Sequence, residues 1–251
     1  MNEIKYNITE QAWHDVANED NVWIKWRFEV LKRSMKNIGI SFDKNYECLD
    51  IGCGKNNFAL NLEEISSFKI DQIDVDQKNF KNKKKGRGSL FKYDINSKQQ
   101  NLKNKYDIIF LLDVLEHIDN DNEFLQSCYF HMKKGSFLII NVPSIPELFS
   151  KYDNAVGHIR RYKKRDLKNL LIKNEFKISL LHYWGFLLIP LLFLRKIMMN
   201  LLKQNNEEII KKGMDTQPKT IIFVINLLKN IELKFLKISI IGSSLVSIVK
   251  K

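Results

Sequence analysis

The sequence predicts a doubly wound α/β fold with a mostly parallel sheet. Apolar runs of strand length recur along the chain, helical stretches separate them, and several runs end in acids or glycines. This alternation is typical of parallel strands joined by helices that cover both faces of the sheet. At 251 residues and 44% apolar composition, the chain can bury one substantial core. The first five predicted strands are Tyr46–Ile51, Phe68–Asp76, Ser89–Ile95, Tyr106–Leu112 and Phe137–Pro143.

Helical segments are predicted before and between these strands. Residues Gln11 to Ile40 form an N-terminal helical region with an apolar face. A helix that includes Cys128 to Lys134 is predicted to end at Gly135, where a glycine can terminate it. Lys164 to Asn174 predicts a further helix, and Phe176 to Tyr183 a sixth strand.

The loop after the first strand has the composition of a ligand-binding turn. Asp50 lies near the strand end, and Gly52 and Gly54 permit a tight turn and a ligand lying against bare main chain. Asp74 follows Gly54 by 20 positions, about the distance at which a doubly wound fold places a carboxylate on ribose hydroxyls. A plain strand-to-helix turn and a solvated acid are the alternatives. Together these residues predict a nucleotide-type ligand.

Asp50, Gly52 and Gly54 resemble the first motif of class I S-adenosylmethionine (SAM)-dependent methyltransferases, an acid followed by glycines at alternate positions. A third glycine is usual two positions further on, where this chain has Asn56. The resemblance implies a seven-stranded Rossmann-like sheet, SAM as cofactor and an enzyme of EC 2.1.1 type. A dinucleotide-binding site is the competing interpretation, but it calls for glycine where the chain has Asn57 and does not need Asp50.

The same resemblance assigns cofactor contacts at the ends of later strands. It places Asp94 on the exocyclic amine of adenine, and a carboxylate accepts what an amine donates. Ile95 would flank the adenine ring, and Asp113 is predicted as an acid of the cofactor wall, with an acid at a helix start as the alternative. The predicted cofactor-binding residues are Asp50, Gly52, Gly54, Asp74, Asp94, Ile95 and Asp113.

Two histidines are the candidate catalytic residues. His117 lies in Asp113–Ile118, which resembles the post-strand motif of methyltransferases that act on small molecules, quinones and glycans. It can orient or deprotonate an acceptor hydroxyl, or it can only shape the pocket wall. His158 lies in Gly157–Tyr162, a Gly-His-x-Arg-Arg-Tyr segment. That segment resembles a bacterial branch of the superfamily found among surface-polysaccharide and lipid-linked biosynthetic proteins.

The same segment contains the predicted acceptor-binding residues. Arg160, Arg161 and Tyr162 follow His158, and guanidinium groups can hold a phosphate or carboxylate through paired hydrogen bonds. The alternative is that the arginines pair with Asp153 or Asp166 and fix the loop.

A seventh strand is predicted at Ile238–Val249, paired with the sixth, and the resemblance implies that one of the two runs antiparallel. An insertion is therefore predicted between them. It contains two apolar helical stretches, neither of which reaches the roughly 18 uninterrupted apolar residues that a spanning helix needs. A pair of helices in the membrane interface, a cap over the acceptor pocket and a dimer surface are the alternatives. The predicted organisation is an N-terminal helical region over 1–45, a SAM-binding core over 46–185, the insertion over 186–237 and the last strand over 238–251.

Cysteine usage and charge limit the other classes of site. Cys48, Cys53 and Cys128 form neither a metal-ligand spacing nor an even disulfide set, so we expect a reducing compartment and no metal site. The net charge of +12 is spread along the chain. A dense run of basic residues, Lys81–Arg87, has no RNA-binding motif beside it, so we expect a solvated loop there and no nucleic-acid partner.

Met1 to Gln11 lacks the apolar core of a signal peptide, which predicts cytoplasmic residence. If the insertion is interfacial, we expect peripheral contact at the inner face of the membrane.

The sequence therefore predicts a methyltransferase that acts on an oxygen or nitrogen of a small-molecule, glycan or lipid-linked acceptor. Two alternatives stay open. One is an NAD-dependent oxidoreductase on the same fold, and the other is a non-catalytic membrane-associated scaffold, which Asn56 favours.

Overall fold

A seven-stranded sheet lies at the centre of the structure, which is a computed structural model. The described residues are 21–54, 57–76, 80, 84–201, 209, 219–234 and 240–251. The strands are β1 (Glu47–Ile51), β2 (Lys69–Asp74), β3 (Leu90–Lys92), β4 (Tyr106–Leu112), β5 (Met132–Pro143), β6 (Lys177–Trp184) and β7 (Ser244–Lys250).

The strand order confirms the predicted fold class. The order is β3-β2-β1-β4-β5-β7-β6, in which β1 to β5 pair in parallel and β7 runs antiparallel to both of its neighbours. The sequence predicted that the last two strands pair, and it did not predict that β7 lies between β5 and β6. Along the sheet the strand numbers fall from β3 to β1 and then rise from β4. The switch between β1 and β4 is the point at which doubly wound folds bind ligands.

Helices cover both faces of the sheet. They are α1 (Val22–Asn37), α2 (Asn57–Glu64), α3 (Asp121–His131), α4 (Lys151–Ala155), α5 (Lys164–Lys173), α6 (Ile189–Leu201) and α7 (Lys219–Lys234). Residues of α1, α2 and α7 pack with the sheet face that carries Ile108 and Phe110. Residues of α3 and α5 pack with the opposite face, which carries Ile109 and Leu111. Because successive side chains of a strand point to opposite faces, the continuous apolar run of β4 serves both layers.

The start of α1 is fixed by local chemistry. The side chain of Asn21 accepts a hydrogen bond from the backbone N–H of Trp23 at 2.9 Å, which caps the first turn. Trp26 and Val30 are then buried against the sheet. Trp23 stacks on Trp184 at the end of β6, with ring centroids 4.5 Å apart. The helix is thereby held over the carboxyl end of the sheet.

The junction between α3 and β5 differs from the prediction. The helix ends at His131, and β5 begins at Met132 rather than after Gly135. Tyr106 pairs with Met132 and Ile108 pairs with Phe137, so β5 accommodates extra residues opposite β4. Gly135 has a φ of +77° within this bulge, which a glycine adopts at little cost.

The insertion forms α6 and α7 between β6 and β7. Glu232 of α7 is buried and accepts hydrogen bonds from the N–H groups of Gly185 and Leu187, which joins the helix to the end of β6. Within the described residues, no helix combines the length and hydrophobicity required to cross a bilayer. Both helices nevertheless expose large apolar side chains: Leu191, Phe193, Leu194, Ile197 and Met198 on α6, and Phe223, Val224, Leu227 and Ile231 on α7.

Several predictions fall outside the described residues. They concern the N-terminal residues 1–20, the motif position Asn56, the basic residues Lys81–Lys83 and most of the polar loop of the insertion. The predicted start of the seventh strand at Ile238 also lies there.

Candidate active site

Four strands bring the predicted site residues to one edge of the sheet. Ile51 of β1 is in register with Ile73 of β2 and with Leu111 of β4, and Leu112 of β4 is in register with Asn141 of β5. The loops that follow these strands therefore meet at the same carboxyl edge, where α/β sheets bind ligands.

The glycine turn after β1 is folded tightly against the neighbouring loops. Gly52 has a φ of +66°, and its N–H donates to the carbonyl of Ile73 at 2.9 Å. A Cβ at position 52 would lie 2.8 Å from Cγ2 of Val114, so the loop after β4 approaches too closely for a side chain there. Gly54 has a φ of +50°, and a Cβ on it would have no described atom within 4 Å. The turn therefore presents bare main chain next to open space.

The acids predicted to bind the cofactor differ in environment. Asp74 is partly exposed at the end of β2, and its carboxylate accepts from the N–H groups of Gly54 at 3.3 Å and Asp76 at 3.0 Å. Asp94 is exposed and caps a short 3₁₀ turn by accepting from the N–H of Asn96 at 2.9 Å. Both carboxylates keep further lone pairs for a ligand.

Two other predicted cofactor residues are buried. Asp50 is 3% exposed near the end of β1. Ile95 is 2% exposed and packs in the core on the β4 face that carries Leu111. The strand before it, β3, is shorter than predicted, so Asp94 and Ile95 lie in a turn beyond its end.

Asp113 is the centre of a polar network that joins four elements. Its φ is +58°, and its carboxylate accepts from Nη1 of Arg27 on α1 and from the side-chain amide of Asn141 on β5. Asn141 in turn accepts from Nε1 of Trp184 at 2.9 Å. The network attaches α1 to the sheet at the predicted cofactor wall. Neither Arg27 nor Asn141 was among the predicted site residues, since nothing in the sequence marked them for this contact.

A second cluster lies beside Asp113 and contains both candidate catalytic histidines. The rings of His117 and His158 meet edge to face, with centroids 4.8 Å apart. Nε2 of His158 lies 3.7 Å from Oε1 of Glu116, whose side chain is fully buried. Nδ1 of His117 lies 3.0 Å from the carbonyl oxygen of Gly157, and Nδ1 of His158 lies 3.0 Å from Oδ1 of Asp153. We call Glu116, His117 and His158 the Glu-His-His cluster.

Burial shifts the pKa values in this cluster. Burial, together with the neighbouring His158 ring, lowers the pKa of His117 to about 4, so His117 is a neutral imidazole near pH 7. Burial and the negative charge of Asp113 raise the pKa of Glu116 well above its ordinary value. For Asp153, burial alone would raise the pKa, but hydrogen bonds from His158 and the charge of Arg161 outweigh it and hold the pKa far below its ordinary range.

The Gly157–Tyr162 segment is attached to this cluster by its backbone. The N–H of Ile159 donates to the carbonyl of Glu116 at 3.0 Å, and the N–H of Tyr162 donates to the carbonyl of Pro143 at 2.9 Å. The segment therefore joins the loop after β4 to the end of β5.

The predicted acceptor-binding residues already have partners within the chain. Arg161 binds both carboxylate oxygens of Asp153, at 2.8 and 3.0 Å, as the structural alternative described. Arg160 pairs with Asp121 at 2.8 Å, and the hydroxyl of Tyr162 donates to Asp121 at 3.0 Å. Binding of an acceptor by these residues stays a prediction. The sequence named Asp153 as a possible partner of the arginines, but it did not name Asp121.

Comparison with known proteins identifies the family. A family model described as a methyltransferase domain matches residues 23–181, more than half of the chain. A search of curated proteins finds no significant match.

Solved structures share the fold. A SAM-dependent methyltransferase from Archaeoglobus fulgidus aligns at 21% identity and a TM-score of 0.54, covering 90% of this chain and 96% of that chain. An S-adenosylmethionine-dependent methyltransferase from Mesorhizobium loti aligns at 9% identity and a TM-score of 0.57, covering 88% and 98%. One from Methanosarcina mazei aligns at 13% identity and 0.53, covering 87% and 96%. At these identities the similarity shows the fold.

Proposed function

The chain belongs to the methyltransferase domain family, and from that premise we propose that it methylates an oxygen or nitrogen atom of a small-molecule, glycan or lipid-linked acceptor. SAM is the cofactor, as the sequence predicted and as the named structural neighbours use. The family membership favours a transferase over the NAD-dependent oxidoreductase that shares the fold.

The residues at the sheet edge fit this cofactor. The turn leaves open space beside the main chain of Gly54, which an extended nucleoside ligand can occupy. Asp74 and Asp94 present carboxylates at the ends of β2 and β3, where hydroxyl and amine donors of a nucleoside need acceptors. Asp113, held by Arg27 and Asn141, closes the site on the β4 side.

When bound, SAM supplies a methyl group on a sulfonium, which is already a strong electrophile. The task of the protein is then to align the acceptor and to manage its proton. His117 and His158 lie beside Asp113 near the switch point of the sheet, which supports a role for these two imidazoles toward an acceptor. The observation that supports an oxygen or nitrogen acceptor is this pair of histidines, since such acceptors lose a proton on methylation.

Calorimetry separates this proposal from its rivals. The purified chain is titrated with SAM, with demethylated SAM and with NAD. We expect one binding site for SAM and its demethylated product and no binding of NAD. Binding of NAD alone would favour the oxidoreductase, and binding of none of the three would favour the non-catalytic scaffold.

The exposed apolar side chains of α6 and α7 support a peripheral contact with the membrane. Such helices can lie in the interface with their apolar side chains among the acyl chains while basic residues meet anionic headgroups. Lys229 and Lys234 of α7 supply such charges. This contact is consistent with a lipid-linked acceptor at the inner face of the membrane.

A further inference from the structure

The Glu-His-His cluster brings three hydrogen-bond acceptors together without a donor between them. Each of the three residues offers one ligand atom, and these atoms all lie within 4.8 Å of one another. Glu116 is fully buried, and neither of its carboxylate oxygens has a hydrogen-bond partner among the described residues. Leaving a buried polar group unpaired costs about 1–3 kcal/mol, and more for a charged group. The cluster therefore offers a buried carboxylate with free lone pairs to a partner that supplies positive charge.

The hydrogen bonds of the two histidines determine which ring nitrogen keeps its lone pair. Nδ1 of His117 lies 3.0 Å from the carbonyl oxygen of Gly157, which can only accept a hydrogen bond. Nδ1 of His158 lies 3.0 Å from the carboxylate of Asp153, which also accepts two hydrogen bonds from Arg161. In each ring the hydrogen must therefore be on Nδ1, which leaves the lone pair on Nε2. A second partner that fixes Nδ1 in this way is typical of histidines that bind metals through Nε2.

Hydrogen bonds support the residues around the cluster. Asp153 is itself held by Arg161 and by the N–H and hydroxyl of Ser150, at 2.9 and 3.0 Å. The carbonyl of Glu116 accepts from the N–H of Ile159, which joins the loop after β4 to the Gly157–Tyr162 segment. Such supporting contacts orient the ligand side chains toward one another.

We propose that Glu116, His117 and His158 form a binding site for a divalent transition-metal cation. Two imidazole nitrogens and one carboxylate suit Zn²⁺, Mn²⁺ or Fe²⁺, whereas Ca²⁺ and Mg²⁺ prefer oxygen ligands alone. Three protein ligands leave at least one coordination position open. Metal–ligand bonds of about 2.1 Å require the donor atoms to move inward by roughly 1 Å from their present spacing.

The open coordination position gives the site a role in activating the acceptor for methyl transfer. Only this role rests on the proposed methyltransferase function. An acceptor hydroxyl bound to the cation would have a lower pKa and release its proton to water, and its oxygen would then bond to the methyl group as the methyl–sulfur bond breaks and the demethylated product leaves. The two histidines then act as ligands, and the cation takes over the task of activating the acceptor. Hydroxyl-bearing acceptors are accordingly the substrate class that this site favours.

Metal binding is tested directly on the full chain. The protein is treated with a chelator, dialysed and titrated with Zn²⁺ and Mn²⁺ by calorimetry, and the visible absorption of added Co²⁺ reports nitrogen ligation. We expect one cation per chain. Glu116→Gln and His158→Ala should each weaken binding by at least tenfold, and circular dichroism should show that both variants remain folded.

Two variants outside the cluster serve as matched controls. Glu147→Gln removes an exposed carboxylate, and His182→Gln removes an imidazole that hydrogen-bonds to Ser34. Both should bind the cation as the parent protein does. Equal binding by the parent protein, Glu116→Gln and His158→Ala would overturn the proposal, because the ion would then sit elsewhere on the surface. Absence of binding by the parent protein would overturn it as well.

A parallel titration with SAM in chelator separates this proposal from the proposed function. SAM binding without any cation binding would leave the methyltransferase assignment intact and remove the metal site. Cation binding that depends on the cluster, without SAM binding, would keep the metal site and remove the methyltransferase assignment.

Discussion

Arg161 binds Asp153 through two parallel hydrogen bonds, and the same carboxylate fixes Nδ1 of His158. The pair is interior, with side-chain exposures of 8% for Arg161 and 0% for Asp153. One ion pair therefore stabilises the segment after β5 and orients a candidate catalytic histidine.

Loss of Arg161 is expected to destabilise the protein. Arg161→Ala leaves a buried carboxylate without its main cationic partner, and removing one member of a buried pair costs about 3–5 kcal/mol. Arg160→Ala is the matched control, because its pair with Asp121 is more exposed, at 34% for the arginine side chain, and such pairs contribute about 1 kcal/mol or less. Unfolding in urea measures both. Similar losses in the two variants would contradict this account of Arg161.

Asp74 is expected to matter for SAM affinity. Asp74→Ala removes a carboxylate beside the glycine turn, and losing a hydrogen-bonded charged acceptor costs about 1.5–3 kcal/mol, or roughly ten- to hundredfold in affinity. Calorimetry with SAM measures the change. Asp43→Ala, an exposed acid before β1, is the control and should bind SAM normally. Unaltered affinity in Asp74→Ala would end the assignment to the ribose.

The buried acid Asp71 of β2 is expected to give the stability a defined pH dependence. Burial alone would raise its pKa, but hydrogen bonds from Lys105 and the N–H of Ser89 outweigh it and lower the pKa. A carboxyl group whose pKa is lower in the folded protein stabilises the fold above the unfolded pKa of about 3.9, and this stability is lost as pH falls through the folded pKa.

Asp71→Asn tests that expectation. At pH 7 the variant should lose about 1–3 kcal/mol of unfolding free energy, the usual contribution of hydrogen bonds to a charged group. The difference from the parent protein should shrink as the pH falls below about 4, because the carboxyl of the unfolded chain binds a proton there while the folded carboxylate stays ionised down to its lower pKa. Urea unfolding from pH 3 to pH 7 measures it, and a gap that stays constant with pH would show that the charge of Asp71 is not the cause.

The apolar side chains of α6 and α7 are expected to mediate binding to anionic vesicles. Phe193→Glu and Phe223→Glu place charges at positions that are 56% and 71% exposed, so the fold should tolerate them while vesicle binding falls. Ile172→Glu on α5, at 54% exposed, is the control. Leu192 is unsuitable because it packs against the core. Co-sedimentation measures binding, and unchanged sedimentation of both phenylalanine variants would favour a cap or a dimer surface.

The sequence predicted the strands best where burial imposes a pattern. The predicted bounds of β4, Tyr106–Leu112, are those observed, because a strand covered on both faces must be apolar at every position. The predicted third strand, Ser89–Ile95, was longer than the observed β3, because Asp94 caps a turn that follows the strand. The bulge at Gly135 was assigned to a helix end, because a glycine with positive φ satisfies either geometry.

Contacts within the candidate site were harder to predict. Arg27 lies 86 positions from Asp113, and no periodicity links a residue of α1 to a loop after β4. The cysteine spacing predicted no metal site, and the proposed cation site departs from that prediction. Glu116 and His158 come from separate segments, and only the fold places them 3.7 Å apart.

The placement of β7 between β5 and β6 has a consequence for synthesis. β6 pairs with no strand other than β7 in the described sheet, yet β7 follows it by about 60 residues. At about 5–20 residues per second, a ribosome needs roughly 3–12 s to deliver that interval. During this time β6 has no partner, the edge of β5 is open, and the apolar helices α6 and α7 emerge beside them. Unpaired strand edges and exposed apolar helices are the surfaces that nascent chains aggregate through, so this interval is the one in which a chaperone would have most to protect.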